Sequence, residues 1–175
     1  VAVVAVTLMG RAVAGNAPVD VPPREEAWTV GAYLAPWDEV RGLASMPHAG
    51  PVLTSVSPVW YTPGDDGQVV RNVQTSTEPV FHTAHVMDIE VIPSISNFRD
   101  GVWDSDVVSR IVNDPQVRRT HVDEIVRVVV GQGWDGIDID YEALDGADLR
   151  AYALFLEELA TALHEQDLKL TVALH

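Results

Sequence analysis

No cysteine occurs in the 175 residues, which removes disulfides, thiolate chemistry and cysteine-ligated zinc while leaving the compartment open. Positive charge is scarce: 11 Lys and Arg stand against 26 Asp and Glu, a formal net charge of −15 at pH 7. A surface of that sign repels nucleic-acid phosphates and anionic lipid headgroups, so neither is expected as a partner. Long apolar runs are missing too. The stretch VAVVAVTLMG at residues 1–10 is too short to span a bilayer, and no membrane insertion of the mature chain is expected. What remains is 47% apolar and 21% charged, the composition of one globular domain with a real core.

The apolar start is followed by AVAG, Ala12–Gly15, with small residues at alternate positions. Together they resemble the apolar region and cleavage site of a secretory signal peptide, so residues 1–14 are expected to direct export. The alternative is a buried N-terminal strand. Residues 15–27, which include NAPVDVPPREE, read as a Pro-rich linker, and residues 28–175 as the domain.

Within the domain, strand-like runs fall at about Val30–Pro36, Val52–Trp60, Glu90–Ser96, Trp134–Glu142 and Leu168–Leu174. They are rich in Val, Ile and Leu, and no two of them are joined by a hairpin turn dipeptide. Helical periodicity lies between them. Across Ala147–Gln166, Leu149, Tyr152, Ala153, Leu156, Leu159, Ala160 and Leu163 recur at steps of three and four. A second helix opens at Asp114-Pro115, runs through Val122, Ile125, Val126 and Val129, and is expected to stop at Gly131. A shorter one is expected within Asp104–Val112. Strand and helix in alternation predict an α/β fold whose parallel sheet is covered on its faces by helices.

The fourth run breaks the apolar rule for such strands. In GWDGIDIDYEAL, Gly133–Leu144, alternation sends Ile137, Ile139 and Tyr141 to one face and Asp138, Asp140 and Glu142 to the other. Side chains two apart on a face are separated by roughly 6.6 Å, at a rise of about 3.3 Å per residue. Three carboxylates facing an enclosed interior repel one another and lose hydration, and moving a pKa by one costs about 1.4 kcal/mol. At least one carboxyl is then expected to keep its proton near neutral pH, with the titration shared by the set. A carboxylic acid that holds its proton is what a general acid requires. Glu142 ends the row, at the C-terminal end of its strand, where barrels of this class keep their active sites. Two other readings stay open here: a half-exposed edge strand with an acidic face, and a Mg²⁺ or Ca²⁺ site built on alternate carboxylates.

The segment DGIDIDYE, Asp135–Glu142, resembles the D-G-x-D-x-D-x-E signature of glycoside hydrolase family 18, which includes chitinases and peptidoglycan-lytic N-acetylglucosaminidases. VGAYLAPW resembles the first strand of that family, and SVSPVWYTPGDDGQV and EVIPSISNF resemble the second and third strands of its spore-cortex-lytic branch. The likeness runs from about Trp28 to His175. It implies a (β/α)8 TIM barrel, present here to about the fifth strand, LTVALH. It implies a secreted bacterial hydrolase of β-1,4-linked N-acetylglucosamine glycans that needs no cofactor and no metal. By position, Glu142 would protonate the glycosidic oxygen, Asp140 would orient the substrate's 2-acetamido group, and Asp138 would share a hydrogen bond or proton with Asp140. The acetamido oxygen, rather than a protein carboxylate, would then attack the sugar, with retention. Asp135 and Gly136 would be structural, with Asp135 bonded around a turn at Gly136. The family's sixth-strand Tyr and Asp and eighth-strand Trp have no counterpart in this chain. A non-catalytic carbohydrate-binding protein, or an inactive fragment, is the other functional reading.

Tyr33, Trp60, Ser96 and Asn97 are the sugar-contacting candidates: the aromatics end the first two strands, and SISN stands where many relatives have Ser-x-Gly-Gly. Tyr141 replaces a Trp common in chitinases, and it is expected to face away from the acids as a packing residue. Trp37 and Tyr61 also end strands, but core or rim packing is favoured for both, as it is for Trp28 and Trp134. His121 and His164 are expected as surface or core residues. His82 and His85 have a metal-compatible spacing without a third ligand, His175 ends the fifth run, and GDDG, Gly64–Gly67, reads as a turn.

Overall fold

Strands that carry isoleucine at every second position need that face covered, and this chain covers it with helices. The computed structural model describes residues 29–49, 52–72 and 77–174. Strand β1 (Gly31–Leu34) leads into helix α1 (Glu39–Ala49), and β2 (Ser55–Pro63) turns back as the short β3 (Val69–Arg71) before α2 (Glu78–Val86). The third run is split into β4 (Glu90–Val91) and β5 (Ser94–Ser96), parted at Pro93, which has no N–H to give a ladder. A small hairpin, β6 (Phe98–Arg99) and β7 (Val102–Trp103), precedes α3 (Ser105–Asn113) and α4 (Pro115–Gln132). Then come β8 (Gly136–Asp140), α5 (Leu149–His164) and β9 (Lys169–Val172). Residues 1–27, with the expected signal and linker, lie outside the described residues, as do Trp28 and His175.

The strands β1, β2, β5, β8 and β9 stand side by side in chain order, each pair parallel, with β4 also parallel to β2. Each step along this order crosses over through at least one helix, as the strand–helix alternation predicts. Ile95, Ile137 and Ile139 are fully buried in one core with Val108, Ile111, Ile125, Val129, Phe155, Leu159 and Leu163 of the helices. No helix among the described residues is long and apolar enough to cross a membrane.

Helix ends follow local chemistry. Asp114 Oδ1 accepts the amides of Gln116 (2.8 Å) and Val117 (3.2 Å), and Pro115 occupies the first turn of α4. That helix passes Gly131 and ends at Gly133, because Gly133 is the one that takes the left-handed φ of 72°. The buried stripe of α5 is Tyr152, Phe155, Leu159 and Leu163, while Leu149 is exposed.

Two hairpins add to the five expected runs. Asp100 (φ 52°) and Gly101 (φ 86°) turn β6 into β7, the double positive φ that an Asp-Gly pair favours. The dipeptide stands in the sequence, but the flanking strands of two residues are too short to show alternation. Gly64–Gly67 is the expected turn, and it joins β2 to an antiparallel β3.

Gly136 is inside β8 rather than at a turn. A β-carbon there would be driven into the Lys169 carbonyl of β9, so only glycine lets the two backbones approach this closely. Gly136→Ala is therefore expected to lower stability by about 1–3 kcal/mol, the usual scale of overpacking, and the denaturant midpoint measures it. An unchanged midpoint would mean that β9 yields without cost.

Candidate active site

The pairing register places the acids. Ser94 pairs with Asp138 and Ser96 with Asp140, so the two aspartates share the sheet face that carries the serines, opposite the buried isoleucines. Glu142 follows two residues beyond Asp140, past the end of the strand, and is half-buried.

Asp138 is the enclosed member at 2% exposure. Its Oδ2 accepts from the hydroxyls of Ser94 (2.6 Å) and Tyr33 (3.0 Å), and its Oδ1 from Thr171 (2.7 Å). Three O–H dipoles aimed at one carboxylate substitute for lost water. They also turn hydrogens toward the oxygens that a metal ion would need. Among the described residues, no group of three or more His, Cys, Asp or Glu is arranged to hold a metal.

Tyr33 is the sensor of this arrangement. Burial pushes its phenol far above the ordinary range, and the charge of Asp138, the hydrogen bond to it, and the charges of Asp140 and Glu142 push it further. All three acids thus act on one hydroxyl, which stays a proton donor. Of the sugar candidates, Tyr33 lies among the acids, and Ser96 lies beside Asp140 with its Oγ accepting the Phe98 amide (3.2 Å).

Two candidates are put to other use. Trp60 is 2% exposed in the core: its indole N–H donates to Glu39 (3.2 Å) and its ring meets Trp134 at 5.2 Å. It is not available to stack on a sugar, because it falls four residues after Val56, on the face of β2 that alternation turns to the core. Asn97 is 1% exposed, and its amide holds main chain: Oδ1 accepts the Glu142 N–H (2.9 Å), while Nδ2 donates to the carbonyls of Glu142 (3.0 Å) and Asp104 (3.2 Å). Asn97 therefore places the backbone of Glu142 and does not face a sugar. Asp135 accepts the Val91 amide (2.8 Å) across to β4, a link between strands rather than around a turn. Tyr61 and Trp134 are buried and bonded to each other, Trp134 N–H donating at 3.1 Å. Trp37 is 79% exposed, three residues past β1 at the end of the sheet where Glu142 lies.

Tyr141 points to the helix side, where it is buried and meets His121. His121 Nδ1 lies 2.8 Å from the Gly67 carbonyl, which can only accept, so Nδ1 carries the hydrogen. Nε2 is then bare and accepts the Tyr141 O–H at 2.6 Å. Burial lowers the His121 pKa to about 4, against small upward contributions from the Gly67 bond and the Glu124 charge.

This pair makes stability depend on pH. Unfolded histidine binds its proton near pH 6.5 and the folded ring only near 4. The stabilisation is thus complete above about pH 6.5 and drains away as pH falls toward 4, by on the order of 3 kcal/mol. Denaturant unfolding of wild type and His121→Leu at pH 7 and pH 4.5 checks it. The variant is expected to lose less between the two pH values, and equal losses would refute the assignment.

The sequence model of Glycosyl hydrolases family 18 matches residues 58–175. The chain is similar to the uncharacterized glycosylase YvbX of Bacillus subtilis (strain 168), 28% identical over 110 residues, which are 62% of this chain and 31% of that protein. Its fold resembles that of a chitinase from Chromobacterium violaceum ATCC 12472, with TM-score 0.72 at 22% identity over 81% of this chain and 44% of the other. It also resembles the spore cortex-lytic enzyme SleL of Bacillus cereus, with TM-score 0.70 at 21% identity over 82% and 34%. The chain thus spans less than half the length of these relatives, and its five parallel strands form part of a (β/α)8 TIM barrel. A family match over the second to fifth of those strands, acids included, establishes that the chain belongs to glycosyl hydrolases family 18.

Proposed function

We propose that the protein containing this chain hydrolyses β-1,4-linked N-acetylglucosamine glycans, chitin or peptidoglycan, by substrate-assisted acid catalysis with retention. The observation that carries the reading is the division of labour along β8. Asp138 is locked by three hydroxyls, Asp140 follows on the same face, and Glu142 stands at the mouth on a clamped backbone. Glu142 donates a proton to the glycosidic oxygen as the C1–O bond breaks. Asp140 orients the 2-acetamido group, whose carbonyl oxygen attacks C1 and forms an oxazolinium-type intermediate, the known exception to the two-carboxylate scheme. Glu142, now ionised, takes a proton from the water that opens this intermediate on the same face. A sugar without the acetamido group has no nucleophile and is not cleaved. Export through residues 1–14 belongs to the same reading and places the enzyme with its extracellular polymer.

The test uses the uninterrupted reading frame that contains the chain. Glu142→Gln is expected to lower kcat on N-acetylglucosamine oligosaccharides by about 10²–10⁴-fold, with a smaller loss on aryl glycosides whose leaving group needs no proton. Equal product release by both proteins would remove Glu142 from the role of acid. The exposed indole of Trp37 offers a flat apolar face to a sugar at the mouth. Trp37→Ala is accordingly expected to raise KM for long oligosaccharides by about tenfold while leaving kcat on a short aryl glycoside unchanged. Unaltered KM on long oligosaccharides would take Trp37 out of the cleft.

A further inference from the structure

Glu142 is held from two directions. On the β5 side, the Asn97 amide takes both its N–H and its C=O. On the helix side, the preceding residue is anchored: the Tyr141 ring lies between His121, Phe155 and Tyr152, with centroids 6.2–6.3 Å away, and its hydroxyl ends on His121. His121 in turn stacks on Phe155 at 5.6 Å and binds the Gly67 carbonyl. Gly67 (φ 83°) is pressed against Val117 and His121 so closely that no side chain fits, which fixes the turn between β2 and β3 on α4. Ala143 follows in the left-handed region (φ 57°), a conformation that a non-glycine residue holds only when its surroundings impose it.

We propose that Tyr141 and His121 are positioning residues for Glu142, tying it through Gly67 to the β2–β3 turn. The inference rests on the reading of Glu142 as the acid. Packing alone does not require this pair, since a phenylalanine ring set against an aliphatic side chain would fill the same space without burying a hydroxyl and an imidazole. What the polar pair adds is direction: one donor and one acceptor fix where the Tyr141 hydroxyl ends and its distance from α4. A general acid displaced from its reaching distance loses rate while substrate binding stays intact. The titratable groups facing His121 are Glu124 on its own helix, Tyr141 beyond β8 and, through the Tyr141 ring, Tyr152 on α5; burial pushes both phenols up.

Tyr141→Phe keeps the ring stack and removes the bond. In the full protein, we expect kcat on N-acetylglucosamine oligosaccharides to fall about tenfold with KM within about twofold, and hydrogen exchange at the Glu142 amide to quicken. His121→Leu should match it, and His121→Gln, whose amide oxygen can accept from Tyr141, should recover part of the rate. A folded Tyr141→Phe with wild-type kcat and wild-type Glu142 exchange overturns the proposal. If Tyr141→Phe does not fold, the His121→Gln and His121→Leu pair decides: equal kcat in the two overturns it. Where the wild type cleaves no N-acetylglucosamine glycan, the functional reading fails, and Glu142 amide exchange alone decides the positioning claim, unchanged exchange refuting it.

Discussion

Everything at the mouth of the sheet depends on how one carboxylate survives burial. Asp138 is 2% exposed, and an isolated charge there would cost several kcal/mol. Its three donors come from β1 (Tyr33), β5 (Ser94) and β9 (Thr171), so one residue of β8 collects bonds from three other strands of the sheet. Removing a donor would leave a buried charge undercompensated, which is why the inward face carries hydroxyl residues where an ordinary barrel packs branched apolar ones. The arrangement also fixes chemistry. A carboxylate satisfied on both oxygens is held in place as a stationary dipole and charge partner of the acids further along the row.

The sequence is most legible where one physical rule acts alone. Parallel order follows from strand–helix alternation, the start of α4 from Asp114-Pro115, and the common face of Asp138 and Asp140 from period two. It is less legible where a tertiary partner decides. Gly131 and Gly133 are equally good stops by composition, and the backbone after Val129 and Val130 chooses the second. Trp60 reads as a strand-end aromatic, but period two sets it on the face of Val56 in the core, and the register shift beside β5 brings Tyr61 there as well. Trp37 reads as packing, yet it is exposed at the end of the sheet among the described residues.

The site divides along the same line. The acid row is readable because its members are close in sequence. Asn97 sits 45 positions from Glu142 and Thr171 sits 33 from Asp138, and only a register between strands reveals what they serve. β5 ends just before Asn97 and brings it to the site, but its amide meets main chain because β8 has ended. Beyond Asp140 the ladder no longer supplies partners for residue 142, and a side-chain amide, with one donor and one acceptor side by side, imitates the missing strand.

Alternation along DGIDIDYE then acquires a second meaning. Inward positions carry charge and outward ones carry the means of holding it still: Ile137 and Ile139 lock the strand by packing, and Tyr141 takes over with a hydrogen bond where the strand stops. An aliphatic residue at 141 would hold position only by contact, and contact resists rotation poorly at the end of an element. A phenol bound to a neutral, buried imidazole resists it by geometry. The cost is acid sensitivity, because a protonated His121 would have a hydrogen on both nitrogens and leave the Tyr141 hydroxyl proton without its acceptor. Burial keeps that state out of reach until the pH nears 4, so the imidazole bonded to Tyr141 stays neutral around neutral pH.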